Sequence, residues 1–434
     1  MRQSLAAAAI CIGLLRAVLL AQSAPATSDV GKRWPSERYT IVDRITGVPI
    51  TVWTSGPSTN SHNYQTDPQW TSDGEYIIMH SNRAAGGSTQ TFAISERTGE
   101  IIQLTDSGGG GSMLARKSNK MYFFRGGRGG PAQLIEQNLD PLLADSKAGT
   151  MKPPAAYERV VFTMPSDLRP GGLTLDADEK VAYLGVSKPR PPGEQRPPAP
   201  PVRQAPPGPG GQPGPPPRPV FVPDPNPWSG LRKVDLQTGA VSKIIDVDLQ
   251  IGHIQANPFV SGEIMYCHET GGDAPQRMWL VNADGTGNRP LYKETPDEWV
   301  THEAWVDKDL VYFVIMGFLP RLRLHPTGIA SINVRNDATQ ILGQIERGGF
   351  SHCNGSRDGR WAVGDSGPGN IHLIDLRTGE VILLSTNHVM RPDHAHPTFH
   401  PNGREILIQS GLISGGMKLD IMTIGIPEWM QNRR

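Results

Sequence analysis

The sequence predicts an all-β fold, a seven-bladed β-propeller whose last blade is closed by the N-terminal strand. Two observations lead to this prediction. A phrase of short apolar strands, separated by Asp-Gly, Asn-Gly or Thr-Gly turns, recurs along the 434-residue chain, and four strands in about 40 residues form one propeller blade. In addition, the N-terminal region resembles the tail of a blade that has no beginning.

The clearest copy of the phrase spans residues 67–104. Its strands and turns follow one another as Trp70, Asp73-Gly74, 76–79, 91–94, Thr98-Gly99 and 101–104. Degenerate copies continue along the chain and are marked by the turns Thr238-Gly239, Asp284-Gly285, Asp358-Gly359, Thr378-Gly379 and Asn402-Gly403. Together they predict one ring over residues 34–430 rather than several domains. The seventh copy lacks a fourth strand, and we expect residues 40–50 to supply it, because closure removes an exposed sheet edge.

Two segments are expected to lie outside the ring. Residues 1–23 predict an export signal, since Arg2 and an apolar run lead to the cleavage site Ala21-Gln22-Ser23. This favours a periplasmic or extracellular location, with a disordered N-terminus or an uncleaved anchor as the alternatives. Residues 189–227 are rich in proline and glycine and predict an extended or disordered insertion in the third blade. An inert surface loop and a polyproline ligand for a partner are both compatible with this composition.

Charge and cysteine content limit the function classes. Lys+Arg and Asp+Glu number 42 each, which gives no electrostatic reason to expect nucleic acid or an acidic membrane as partner. Without the signal only Cys267 and Cys353 remain, so neither a disulfide framework nor a CxxC zinc site is predicted. No Gly-x-Ser-x-Gly motif indicates serine hydrolase chemistry.

Four histidines occupy related positions in the repeat. His352 and His396 lie six residues before the turn of their blade, as Asp67 does in the first blade, and His302 lies three before a tryptophan, again like Asp67. His394 shares the strand face of His396. Since equivalent positions on neighbouring blades converge at one mouth of the channel, we expect these imidazoles to crowd together. They are suited to a divalent metal such as Mn, Fe, Ni or Zn, although isolated histidines are usually structural.

Further candidate residues accompany these four. His62 and His253 also precede inner strands, and Cys353 adjoins His352. Arg277 opens a strand of the fourth blade, where its guanidinium could pair with a carboxylate. A surface arginine lying over Trp279 is the alternative.

At these motifs the sequence resembles the oligogalacturonate lyase family. The resemblance covers nearly the whole chain after the signal and rests on five motifs in the family's order: Ser61-His62-Asn63-Tyr64, Gln276-Arg277-Met278-Trp279, Thr301-His302-Glu303-Ala304-Trp305, Gly349-Phe350-Ser351-His352 and His394-Ala395-His396-Pro397.

The resemblance implies a metal-dependent polysaccharide lyase that acts on a uronate-containing oligosaccharide or polysaccharide by β-elimination. It implies a manganese-type ion on His352, His394 and His396, with His302 as the base and Arg277 assisting it. The residues expected to bind substrate are His62, Tyr64 and Arg391.

The sequence departs from the family pattern in two respects. Arg391 stands where the family has a glutamine ligand, so that ligand is lost or replaced by Asp393 or water, and the cation could weaken metal binding or bind substrate instead. The export signal and the proline-rich insertion point to a different uronate glycan. The alternatives to a lyase are a non-catalytic envelope propeller of the TolB kind that binds a protein, and a metal-dependent hydrolase on the same ring.

Overall fold

The computed structural model describes residues 28–108, 111–127, 130–188, 229–269, 276–295, 298–316, 327–346, 349–367 and 369–432. The predicted export signal at 1–23 and the proline-rich insertion at 189–227 lie outside these residues. The two therefore stay predictions.

Seven antiparallel sheets form the blades of the ring. Three short strands precede the first complete blade: β1 (Arg33–Trp34), β2 (Tyr39–Val42) and β3 (Pro49–Val52). Blade one contains β4 (Asn60–His62), β5 (Tyr76–Ser81), β6 (Gln90–Ser95) and β7 (Ile101–Gln103), with β1 paired to β7. Blade two contains β8 (Ser112–Leu114), β9 (Lys120–Gly126), β10 (Ala132–Asn138) and β11 (Glu158–Thr163). Blade three contains β12 (Arg169–Leu175), β13 (Val181–Ser187), β14 (Ser229–Asp235) and β15 (Val241–Val247).

The remaining blades follow the same order from the channel outwards. Blade four contains β16 (Ile251–Ala256), β17 (Glu263–His268), β18 (Met278–Asn282) and β19 (Arg289–Pro290). Blade five contains β20 (Val300–Trp305), β21 (Leu310–Ile315), β22 (Gly328–Asn333) and β23 (Thr339–Gly343). Blade six contains β24 (Phe350–Gly355), β25 (Trp361–Ser366), β26 (Asn370–Asp375) and β27 (Glu380–Ser385). Blade seven contains β28 (Thr398–Phe399), β29 (Glu405–Ser410) and β30 (Asp420–Gly425), followed by β3 and β2.

Helices are few, and the predicted all-β propeller is confirmed. The helix α1 (Leu139–Ala148) is inserted between β10 and β11, and α2 (Glu428–Gln431) follows the last strand. Two short 3₁₀ helices span Ala85–Gly87 and Pro154–Ala156. In the described part of the chain, no helix has the length and apolar character needed to cross a membrane.

Blade seven draws its strands from both ends of the chain. Its outer half consists of two N-terminal strands, since β3 pairs with β30 through Ile50 opposite Ile424, and β2 pairs with β3. Asp43, in the turn between β2 and β3, accepts hydrogen bonds from the Ser385 hydroxyl and the Thr386 backbone of blade six at 2.9 and 2.6 Å. The N-terminal region is thus fixed to two blades at once.

Apolar side chains pack between neighbouring blades, so the core is a ring of interfaces. Between blades six and seven, for example, Trp361 and Leu373 lie in one cluster with Ile406, Ile408 and Met422. Strands β5 and β6, each paired on both sides, are accordingly almost fully buried. The innermost strands stand around the channel, where polar side chains can converge.

Candidate metal and acid–base site

A cluster of histidine side chains lies at one mouth of the channel. It is built from inner strands β16, β20 and β24 and from the segment just before β28. These elements contribute His253, His302, His352, and the pair His394 and His396.

His352 lies at the centre of the cluster. Its ring centroid is 4.0 Å from that of His302, 4.2 Å from His396 and 5.2 Å from His394. The rings of His394 and His396 are 6.3 Å apart. The four imidazoles to which the repeat assigns related positions are therefore in contact in the structure.

Irregular backbone aims these side chains. In each of β16, β20 and β24 two residues oppose one residue of the next strand, which is a β-bulge, and the bulges contain His253, His302 and His352. His253, His302 and His396 also have left-handed backbone, with φ of 45°, 56° and 49°. Because residues other than glycine adopt this region at a cost in free energy, the orientation of these imidazoles into the channel mouth lowers the stability of the fold.

His302 is held in a single tautomer. Its Nδ1 faces the carbonyl oxygen of Ser351, and a carbonyl only accepts, so Nδ1 carries the hydrogen and Nε2 keeps a free lone pair. Burial lowers the pKa of His302 well below its usual value, and the neighbouring His352 and His253 lower it further. The ring is therefore neutral, with one nitrogen able to accept a proton.

Asp365, on β25, was missed by the sequence reasoning. One of its oxygens accepts the backbone N–H of His352 at 2.7 Å, and both oxygens lie 3.2 Å from Nδ1 of that histidine. Burial alone would raise the pKa of Asp365, but the opposing His352 lowers it below its ordinary value. The available signal was an aspartate within the otherwise apolar strand Trp361–Ser366.

The donor atoms suit a divalent metal ion. Ligand atoms of His352, Asp365 and His394 all lie within 4.8 Å of one another, close to the span of about 4 Å that two bonds of about 2 Å to a common ion allow. Imidazole nitrogen and carboxylate oxygen are a donor set for Mn, Fe or Zn. The sequence predicts His396 as the third ligand. In the structure Asp365 meets this distance limit with His352 and His394, and the ring of His396 lies beside them, 4.2 Å from that of His352.

The His394–His396 segment is positioned by its neighbours. The Gln409 amide nitrogen lies 2.9 Å from the His394 carbonyl and 3.1 Å from Nδ1 of His396. His62 is 5% exposed, and its ring nitrogens face the carbonyls of Asn63 and Ala395 at 2.5 and 3.2 Å. This placement suits support of the segment more than contact with a sugar.

Arg391 and Tyr64 differ in their exposure. Arg391 is exposed at the start of the same segment, where its side chain is open to a ligand. Tyr64 lies beneath the cluster, with its ring centroid 4.9 Å from His253, 5.1 Å from His396 and 6.1 Å from His352.

A buried ionic network lies behind His302. Glu303 is 0% exposed and lies 3.7 Å from Arg277 Nε and 3.4 Å from His253 Nδ1. Its other neighbour is the Cys267 thiol. Glu269 approaches the same two side chains from the solvent side, 3.4 Å from Arg277 Nη1 and 3.6 Å from His253 Nε2. Arg277 is thus a buried, paired cation and not a surface arginine.

The charges in this network are stable. Burial would raise the pKa of Glu303, but Arg277 and His253 hold it below its usual range. Burial would likewise lower the pKa of Arg277, yet the surrounding acidic groups raise it. Both cysteines are free and buried, and burial raises their thiol pKa well above the usual value.

The fold and the site together define a β-propeller with a cluster of histidine side chains and one buried carboxylate at a mouth of its channel, a candidate site for a divalent metal. Residues 224–382 match the family model of oligogalacturonate lyase. This region contains Arg277, His302, His352 and Asp365, while His394 and His396 lie beyond it.

Comparisons with known proteins agree with that match. The chain is 24% identical over 210 residues to the oligogalacturonide lyase of Pectobacterium atrosepticum, covering 43% of this chain and 53% of that protein. It is 25% identical over 210 residues to the oligogalacturonate lyase of Dickeya dadantii, with the same coverage. The matched region spans about half the length of these curated relatives.

Solved structures show the same fold. An oligogalacturonate lyase in complex with manganese superposes with a TM-score of 0.73 at 21% identity, covering 93% of this chain and all of that one. The oligogalacturonate lyase of Vibrio parahaemolyticus gives 0.69 at 18% identity, covering 92% and 99%. The resemblance to oligogalacturonate lyases that the motifs indicate is confirmed.

Proposed function

We propose that this protein is a metal-dependent carbon–oxygen lyase that cleaves a uronate-containing oligosaccharide or polysaccharide, of the oligogalacturonate kind, by β-elimination. One observation carries the proposal. The ring of His302, neutral and with Nε2 free, lies 4.0 Å from that of His352 in the candidate metal centre, so a group bound at that centre would present its neighbouring hydrogen to a base.

Elimination needs a base and stabilisation of negative charge. The proton next to a uronate carboxylate is weakly acidic, and a divalent ion bound by His352, His394 and His396 would stabilise the charge that develops on that carboxylate. His302 takes the proton at Nε2, while the Ser351 carbonyl keeps the ring in place through Nδ1. The glycosidic oxygen on the adjacent carbon then leaves, and the product is an unsaturated uronate.

Arg277 supports this chemistry by its permanent charge. Its guanidinium is 6% exposed and next to Glu303, which follows the base in sequence. In this place it adds positive potential at the site of the carboxylate, and burial strengthens the effect by excluding water. Tyr64, within the cluster, and Arg391, at its rim, are the proposed contacts to the sugar. His62 contributes indirectly, because it supports the His394–His396 segment.

The proposed location is periplasmic or extracellular. The proposal is supported by the sequence pattern of residues 1–23, where a charged start, an apolar run and Ala21-Gln22-Ser23 follow one another. N-terminal sequencing of the protein recovered from a cell fraction tests it. A chain that begins at residue 1 and stays in the cytoplasm contradicts it.

The function is tested by ultraviolet absorbance of the unsaturated product. Protein loaded with Mn²⁺ is incubated with oligogalacturonate and, separately, with glucuronate-containing oligomers. We expect His302→Ala to lower the rate about 10²–10⁴-fold, with an unchanged circular dichroism spectrum. His372→Ala, in blade six outside the cluster, is the matched control.

The outcomes separate the alternatives. Cleavage without an unsaturated product identifies a hydrolase. Absence of cleavage together with no retained metal after dialysis supports the envelope propeller that binds a protein. A His302→Ala variant as active as the His372→Ala control contradicts the assigned base.

A further inference from the structure

We propose that Asp365 is a positioning residue that orients His352 for metal binding and supplies the centre with its buried negative charge. The inference rests on the proposed metal-dependent function and extends it to a carboxylate on a second strand.

Asp365 occupies the position opposite a bulge. On β25 its neighbours Gly364 and Ser366 pair with Cys353 and Phe350, so Asp365 alone faces the two bulged residues that include His352. The same geometry recurs in blades four and five. There the single residue opposite the bulge is Tyr266 and Phe313, respectively. Among these three equivalent positions, only that of blade six has a carboxylate.

The contact fixes the tautomer of His352. A carboxylate accepts, so Nδ1 of His352 donates to the oxygens of Asp365 at 3.2 Å and Nε2 is left with its lone pair. The backbone N–H of His352 also donates to Asp365, which fixes the main chain and the ring together. Histidine ligands of metals are commonly oriented by such carboxylate contacts.

A nearby cation is needed to stabilise the buried negative charge of Asp365. It is 0% exposed, and among the described residues its single ion-pair partner is His352. A histidine that binds a metal is neutral, so in that state the carboxylate has no positive partner unless a metal ion is present. Glu303, equally buried, differs because it has Arg277 beside it. A buried, unpaired carboxylate is costly, and a divalent ion at the centre offsets that cost.

Metal affinity provides the test, and it does not require activity. Mn²⁺ is titrated into the metal-free full-length protein by isothermal calorimetry. For Asp365→Asn we expect about 10–100-fold weaker binding. The control is Asp375→Asn in the same blade, since Asp375 is 1% exposed but pairs with Arg377 at 3.2 Å. That variant keeps the wild-type affinity.

A second measurement distinguishes weaker metal binding from a general loss of stability. Unfolding temperature is recorded with and without Mn²⁺ for each variant, and only the difference is compared. A tenfold loss of affinity removes about 1.4 kcal/mol of metal-induced stabilisation, so the Mn²⁺-induced rise is smaller for Asp365→Asn than for Asp375→Asn.

Two results overturn the inference and are distinguishable. Equal Mn²⁺ affinity and an equal Mn²⁺-induced rise in Asp365→Asn and wild type refute the role of Asp365 while leaving the metal centre intact. A wild-type protein that binds no Mn²⁺ refutes both the inference and the proposed metal-dependent function.

Discussion

Replacing Glu303 by glutamine isolates the value of one buried charge. Glutamine keeps the size of the side chain but removes the negative charge that lies 3.7 Å from Arg277 and 3.4 Å from His253. Glu269 contacts the same two residues at 3.4 and 3.6 Å, yet its side chain is 28% exposed where that of Glu303 is fully buried. The two glutamates are therefore a matched pair that differs in burial.

The expected magnitudes follow from that difference. Breaking a buried ion pair leaves an uncompensated cation and costs about 3–5 kcal/mol, whereas an exposed pair contributes about 0–1 kcal/mol. With an unfolding entropy of about 2.1 cal/mol/K per residue, a loss of about 4 kcal/mol lowers the Tm of a chain of this size by about 4 °C. We expect that decrease for Glu303→Gln and about 1 °C or less for Glu269→Gln.

Calorimetric thermal unfolding of both variants at neutral pH measures the effect. The measurement is made without added metal, so that the network is tested apart from the metal centre. Equal Tm values for Glu303→Gln and Glu269→Gln would show that burial does not set the strength of this network. The reasoning from exposed fraction would then be refuted.

Three further predictions concern ring closure and the metal segment. Asp43→Asn should destabilise the fold by about 2 kcal/mol at pH 7, because burial raises the pKa of Asp43 but hydrogen bonds lower it to about 2. The contribution of Asp43 to stability is therefore present above pH about 4 and is lost as the pH falls through about 2. Unfolding followed against pH checks that the difference from wild type disappears in acid, and a constant difference contradicts it. Ile50→Ala should cost about 2–5 kcal/mol, and Ile45→Ala, 68% exposed, should cost little; similar denaturation midpoints for the two would be the contrary result. His62→Ala should weaken Mn²⁺ binding, because it frees the Ala395 carbonyl. A calorimetric Mn²⁺ titration that matches the wild type contradicts this prediction.

The repeat made the ring and its central histidines predictable. His302 and His352 precede features that recur in the blades, a tryptophan and a turn, and strand geometry places such positions at one mouth of the channel. The N-terminal region was expected to supply one strand, whereas it supplies two, because Asp43 and Gly47 turn the chain back within residues 40–50. The helix α1 is an insertion without a counterpart in the repeat.

The residues that hold the site in place were harder to predict. Asp365 faces His352 only because β24 contains a bulge, and bulges change which residues oppose each other without changing the apolar pattern. Gln409 reaches the His394–His396 segment from a different strand, about 15 residues later. Glu303 belongs to one of the five motifs, but its partners His253, Cys267 and Arg277 come from three segments of blade four. Contacts set by three-dimensional register leave no periodic signal in one sequence.

The shared origin of blade seven has a consequence for synthesis. Strands β2 and β3 leave the ribosome early, but β30, to which β3 pairs, spans Asp420–Gly425 near the other end of the chain. Until that segment emerges, the earliest strands have unsatisfied backbone groups that other chains could capture. Completion of the ring is therefore a late event of long sequence separation, and a chain that stops before Asp420 lacks the strand to which β3 pairs.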